Sequence, residues 1–336
     1  MRRKDNGLIT IFSFLTVVLL QGCIHEYPSP ERGNSPDKGQ DPTAINANIE
    51  VSFDLNWENL LYDTAIRTKS RARNQHPHRF VIEVLKDGEA VCHDLNYLTS
   101  EEFSLGRLNH KLSIALKATN YQIAVWYDLQ DDDGNYAFNT ENLKEVGMLN
   151  LSTTDAEALQ CAFGADNLDL TEYTDANEEI EIKKELQLNH AGARFEIVTT
   201  DINKFIETYR TSLIQGDNFT AYLLFTDNTP TIFNLHSNEF SNKELLTLSG
   251  KMRFPFEEYE ELKIAEGFVF CKDESEATLK LEVKNSALLP ICRTEYFSFP
   301  IKRGYITTVK GDFLSSPVDG LFSINTIWDG EIVMEI

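Results

Sequence analysis

Ile49-Glu50-Val51-Ser52-Phe53-Asp54-Leu55-Asn56-Trp57 alternates apolar and polar residues without a break. A period of two puts Ile49, Val51, Phe53, Leu55 and Trp57 on one face of an extended chain. Glu50, Ser52, Asp54 and Asn56 fall on the other, the pattern of a strand with one side buried and one wet. The same reading extends along the sequence. It predicts strands near residues 80–85, 112–116, 121–127, 180–188, 193–199 and 219–225, then 267–271, 277–283, 296–301, 304–309 and 331–336. Helical spacing is scarce. Its clearest case is residues 201–214, where Ile202, Phe205, Ile206, Tyr209 and Leu213 share one side and Thr200 or Asp201 stands at the capping position. Many strands and one or two short helices define an all-β chain, expected as two β-sandwich domains in tandem. The boundary is expected near residues 189–192, giving domains 49–190 and 191–336.

Upstream of the first strand the sequence changes character. Arg2, Arg3 and Lys4 precede an apolar run from Leu8 to Leu20. As a helix, that run would rise about 20 Å, short of a bilayer's hydrocarbon core. It therefore reads as a signal peptide covering residues 1–22, not as a permanent span. Leu20-Gln21-Gly22-Cys23 resembles the bacterial lipobox, in which cleavage follows a small residue and the next cysteine is lipidated. Cleavage between Gly22 and Cys23 and lipidation of Cys23 are the expectation; the alternative is an ordinary signal peptide with a chance cysteine. Residues 23–48 carry Pro28, Pro30, Pro36 and Pro42 in a polar stretch with too little apolar surface to offset the entropy of ordering it. They are read as a tether.

After such cleavage the chain keeps 28 basic against 52 acidic residues. A body this acidic has no general attraction for nucleic acid or for anionic lipid head groups; a local basic patch would act against the overall field. Cys92, Cys161, Cys271 and Cys292 form no CxxC pair and have no histidine at zinc-like spacing. Export would permit disulfides, and buried free thiols fit the sequence equally well.

Few residues call for chemistry. Asp131-Asp132-Asp133-Gly134-Asn135 places hard oxygen ligands beside a glycine turn, so Asp131, Asp133 and Asn135 are a calcium candidate. An ordinary solvated turn uses the same residues and is the preferred reading. His76 and His78 flank Pro77 in a basic loop with no third ligand nearby, so no metal is assigned to them. There is no GxSxG elbow, HExxH, Walker loop or dinucleotide fingerprint, and no enzyme activity or cofactor is expected.

Four segments resemble the fimbrillin-related lipoproteins of the Bacteroidales, the group that takes in FimA-like and Mfa-like pilus subunits and DUF6562 proteins. They are Cys23-Ile24-His25-Glu26-Tyr27-Pro28; Ala124-Val125-Trp126-Tyr127-Asp128 with the later Tyr136-Ala137-Phe138-Asn139; Ala191-Gly192-Ala193-Arg194-Phe195-Glu196-Ile197-Val198-Thr199-Thr200-Asp201; and Phe299-Pro300-Ile301-Lys302-Arg303-Gly304-Tyr305-Ile306-Thr307-Thr308-Val309-Lys310-Gly311-Asp312-Phe313-Leu314. In the last, asparagine often stands at the position of Gly304 in that group. The resemblance implies transthyretin-like, Greek-key sandwiches and a non-enzymatic role in a surface appendage. In polymerising members an Arg-directed protease removes the first strand, and a strand of another subunit fills the groove by β-strand addition. Arg67, Arg71 and Arg73 are the corresponding candidate cleavage points here, with a permanent first strand beside an ordinary loop as the preferred alternative.

The expected function is thus a structural or anchoring lipoprotein of a fimbria-like assembly on the outer membrane, partnered by other fimbrial subunits. Surface exposure is preferred; surface export often goes with acidic residues just after the lipidated cysteine, and because only Glu26 is acidic there the periplasmic face remains open. The alternative is a surface lipoprotein that binds a glycan or host ligand through aromatic loops around Trp126 or Trp328.

Overall fold

A computed structural model describes residues 44–54, 78–98, 107–130, 134–149, 159, 161–173, 180–254 and 260–315. Its organising feature is a pair of antiparallel strands, β2 (His78–Lys86) and β5 (Asn120–Leu129), buried on both faces. Alternation within them sorts side chains between two cores instead of between core and solvent. Phe80, Ile82 and Val84 of β2 join Tyr121, Ile123, Val125 and Tyr127 of β5 in one core. Val81 and Leu85 join Ala124 and Trp126 in the other.

These two strands sit inside a five-stranded sheet. Its order is β10 (Asn189–His190), β8 (Cys161–Asp169), β5, β2 and β3 (Glu89–Leu98). A three-stranded sheet covers its first face, with β1 (Ala44–Asp54) between β4 (Arg107–Lys117) and β9 (Ile180–Gln187). β1 lies parallel to β9 and delivers Ala47, Ile49 and Val51 into the first core. Residues 55–57 of the alternating stretch fall outside the described residues, as do residues 331–336.

The second core extends across residue 190 into the rest of the chain. There β11 (Gly192–Thr199) is flanked by β16 (Leu262–Phe270) and, in parallel, β20 (Ile306–Gly311). The facing sheet runs β15 (Thr247–Lys251), β12 (Thr220–Phe225), β17 (Glu274–Lys284) and β18 (Pro290–Arg293), with β19 (Phe297–Lys302) also pairing β17. A small fifth sheet stitches the halves together. In it β7 (Val146–Met148) pairs β6 (Phe138–Asn139) on one side and β13 (Ile232–Asn234) on the other, and β14 (Glu239–Ser241) follows. Phe233 of β13 meets Trp126 at 6.2 Å and Phe163 at 4.7 Å between ring centroids, carrying aromatic packing across the junction. The chain is all-β, built of sandwiched sheets, with one α-helix among the described residues.

That helix, α1 (Ile202–Ile214), buries Ile202 and Phe205 and packs Ile206, Tyr209 and Leu213 against the second core, the side read from spacing. Capping differs from expectation. Asp201 occupies the N-cap position, but its carboxylate makes no bond to the helix. It accepts the Leu314 backbone N–H at 3.1 Å, the Ser315 N–H and the Thr199 hydroxyl, and so ties the chain after β20 to the helix entrance. Gly267 shows close approach of another kind. It stands opposite Phe195 in the β11–β16 pair, and a Cβ there would lie 2.6 Å from the Phe195 ring. Two outcomes follow. Asp201→Ala leaves buried amides unpaired and lowers unfolding free energy by about 2–3 kcal/mol. Gly267→Ala overpacks the sheet and costs about 1–3 kcal/mol. Urea denaturation of each variant checks both.

Candidate functional site

Three charged side chains, Arg79, Glu83 and Asp128, point from the central sheet into the second core and are buried. Burying a charge is unfavourable unless it is paired and hydrogen-bonded, so each should stand in a built network. Arg79 and Asp128 face one another across the β2–β5 pair. The Arg79 guanidinium grips the carboxylate in two-point fashion, with Nε donating to Oδ1 at 2.8 Å and Nη2 to Oδ2. Arg79 also donates to the Phe138 carbonyl at 2.9 Å and stacks 3.8 Å from the Tyr136 ring centre. The Trp126 indole N–H donates to Asp128 at 3.1 Å. Burial pushes the Asp128 carboxyl up from its ordinary value while Arg79 and Trp126 draw it back. The two-point geometry is that of an ionised carboxylate.

Glu83 forms the second hub. His93 on β3 donates to Oε1 at 2.9 Å, and His236, in the turn between β13 and β14, to Oε2 at 2.8 Å. The Leu143 amide approaches Oε1 at 3.4 Å, and the Leu143 carbonyl accepts from Leu235 N–H at 2.9 Å. One carboxylate therefore holds β2, β3, the segment between β6 and β7, and the β13–β14 turn. Burial alone would raise the Glu83 pKa; the His236, His93 and Leu143 donors more than offset it and hold the group below its ordinary 4.5.

Beside these hubs lies a cleft of about 1130 Å³ lined by Arg79, His93, Tyr136, Thr140, Thr231 and Glu244. Its rim carries the exposed aliphatics Leu95, Leu149 and Leu245. The Tyr136 hydroxyl is buried in the cleft wall and has no hydrogen-bond partner there.

The residues singled out from sequence distribute as follows. Gly22, Cys23, Arg67, Arg71, Arg73, His76, Asp131, Asp133 and Trp328 lie outside the described residues. Asn135 is exposed on the cleft lining next to Gly134, whose φ is +84°. No group of His, Cys, Asp and Glu among the described residues is placed to hold a metal. His78 bonds the Tyr127 hydroxyl at 3.1 Å. Cys92, Cys161, Cys271 and Cys292 are free thiols, and burial pushes those of Cys271 and Cys292 up to about 12. An aromatic platform at Trp126 is ruled out: the side chain has 0% exposure and its N–H is engaged by Asp128. Gly304 fits its motif physically. Its φ is +78°, a left-handed conformation that glycine and asparagine both accept, and its N–H donates to the Gly192 carbonyl at 2.9 Å.

Sequence reasoning missed Arg79, Glu83 and Asp128. The available signal was a lone charge inside an apolar strand, as in Phe80-Val81-Ile82-Glu83-Val84-Leu85.

The chain belongs to the protein family described as a family of unknown function, DUF6562, whose profile matches residues 42–336. No curated protein matches it. Among solved structures it is similar to a putative cell adhesion protein from Bacteroides eggerthii, at 10% identity and TM-score 0.44, covering 85% of this chain and 93% of that one. The fimbrial anchor protein Mfa2 from Porphyromonas gingivalis is similar at 14% identity and TM-score 0.41, covering 74% and 82%. A fimbrial assembly protein from Parabacteroides distasonis is similar at 11% identity and TM-score 0.37, covering 80% and 91%.

The Glu83 hub generates a pH prediction. A carboxyl held below its ordinary value adds stability above about pH 4.5, and loses it as pH falls through its folded pKa. Glu83→Gln should therefore be less stable than the parent chain at neutral pH, with the gap closing as the pH falls below 4.5 and through the folded pKa. Urea midpoints measured across that range check it.

Proposed function

We propose that this chain is a non-enzymatic lipoprotein, anchored through Cys23 to the outer membrane and facing the surface, that serves as a structural or anchoring component of a fimbria-like assembly. The observation that carries the reading is the placement of β1. The strand begins at Ala44, so residues 44–48 of the expected tether belong to it instead, and it is the middle member of its sheet, with β4 and β9 on its two sides. Ala47, Ile49 and Val51 are buried beneath it. A pull on the tether loads β1 along its length against both neighbours, so many hydrogen bonds must yield together. A chain that holds an appendage needs its tether attached in this way. The same placement gives β1 a second possible fate. Loss of the strand after cleavage at Arg67, Arg71 or Arg73 would open a groove between β4 and β9, which a strand of another subunit would fill by β-strand addition. The anchor reading keeps β1 in place. The division into sandwiches at 49–190 and 191–336 belongs to this proposal.

A second reading, a surface lipoprotein that binds a glycan or host ligand, is favoured by the cleft and its unpartnered Tyr136 hydroxyl. Its binding residues would be Tyr136 and His93, not Trp126.

Intact-mass and N-terminal analysis of protein from native outer membranes tests the first reading. It predicts an acylated Cys23 at the N-terminus with β1 retained, in a fraction that co-purifies with a high-mass assembly. An N-terminus after Arg67, Arg71 or Arg73 would make the chain a polymerising subunit. An unmodified Cys23 would overturn lipid anchoring altogether.

A further inference from the structure

The turn joining β17 to β18 presents Leu288 and Leu289 to solvent at 67% and 60% exposure, and Ile214 at the end of α1 is 78% exposed. These aliphatics belong to one end of the molecule. Ser286 in the turn bonds the Asp217 carboxylate and accepts the Asn218 N–H at 2.9 Å, which fixes the turn against the segment after α1. The turn is rigidly built. Asn285 Oδ1 accepts the Ala287 and Leu289 amides at 3.1 and 3.0 Å, and the Asn285 and Leu289 backbones close the loop at 3.1 Å. Leu288 is held at φ +60°, a left-handed conformation that leucine adopts at a cost and that glycine or asparagine would adopt freely. Two adjacent leucines on a preorganised, strained turn thus stay mostly in water.

The charge around the tip runs against the rest of the chain, whose net charge is −22. Thr220 stands opposite both Lys251 and Lys284, so these lysines share the outer face of the sheet at its tip end. Arg210 on the last turns of α1 and Arg253 after β15 are exposed nearby in sequence. Among the described residues Glu282 is shared by Arg293 at 2.7 Å and Lys284 at 3.9 Å, Lys284 also lies 4.5 Å over the Tyr222 ring, and Asp217 keeps its charge while bonded by the neutral Ser286 hydroxyl. Carboxylates farther than a Debye length, about 8 Å, are screened at physiological salt, so a surface meeting this end sees hydrocarbon with Lys251, Lys284 and Arg293 outnumbering Glu282 and Asp217.

We propose that the Asn285–Leu289 turn and Ile214 form a membrane-contacting tip that enters the head-group region of an anionic bilayer, with Lys251 and Lys284 on the lipid phosphates. The contact is separate from any lipid on Cys23; where the lipoprotein reading holds, it would set the body's orientation on the membrane that holds the lipid.

The test uses the full chain with preformed vesicles of phosphatidylcholine, with and without phosphatidylglycerol, doped with brominated lipid. Leu289→Trp places a reporter on the tip, and the parent chain gives the background from Trp57, Trp126 and Trp328. Added emission that bromolipid quenches, more strongly with phosphatidylglycerol, is the expected result. Combining Lys251→Glu and Lys284→Glu with the reporter should raise the lipid concentration needed by about tenfold or more. Leu288→Asn relieves the left-handed strain, so it should keep or raise the melting temperature while weakening quenching; this separates contact from folding. Added emission that stays unquenched in both vesicle types overturns the proposal. So does emission that shifts to the blue without bromolipid quenching, which would mean that a protein surface covers the tip. Neither outcome bears on acylation of Cys23.

Discussion

Two-sided burial of β2 and β5 is the constraint on which the rest of the structure depends. A half-wet strand needs one partner layer, whereas these strands need two. The β4–β1–β9 sheet supplies one layer and the C-terminal half supplies the other. Without the second, Val81, Leu85, Ala124 and Trp126 would face water together, a contiguous apolar surface that isolated soluble domains rarely carry. The chain on either side of residue 190 is therefore joined through a continuous core as well as through the backbone.

Apolar contact alone is weakly directional, and the polar hubs supply the direction. Glu83 ties the β13–β14 turn to β2 through His236, while the β7–β13 pairing fixes the neighbouring backbone. Arg79 aligns β2, β5 and β6 by holding Asp128 and the Phe138 carbonyl at once. Such paired buried charges rigidify one arrangement, and removing one partner would be strongly unfavourable. The cleft exists because the C-terminal layer stops short of β3, leaving Leu95 uncovered beside the hubs.

The all-β class, the course of most longer strands, with β3 and β8 the exceptions, and the apolar side of α1 were legible because alternation and 3.6-residue spacing are local signals. The short strands β6, β7, β13 and β14 were not, since two or three residues carry no period; their pairing is decided by contacts between distant segments. β3 was missed because its alternation mixes Val91, Leu95 and Tyr97 with His93 on one face, and that face remains partly wet. Asp201 looked like a helix cap from its position, and nothing local indicates that its carboxylate reaches residues more than a hundred positions away. Of the candidate site, the Trp126 stretch drew attention for its aromatic content. Its role is internal, holding Asp128, and the charged residues that build the site were hidden by the assumption that charge lies on the wet face.

The most direct measurement of this account is hydrogen exchange of the full chain across a urea series, following backbone amides of β5 and β17 together. Because one core spans both halves, the two strands should lose protection at the same urea concentration in a single transition. Persistent protection of residues 120–129 after residues 274–284 have opened, or the reverse, would contradict it.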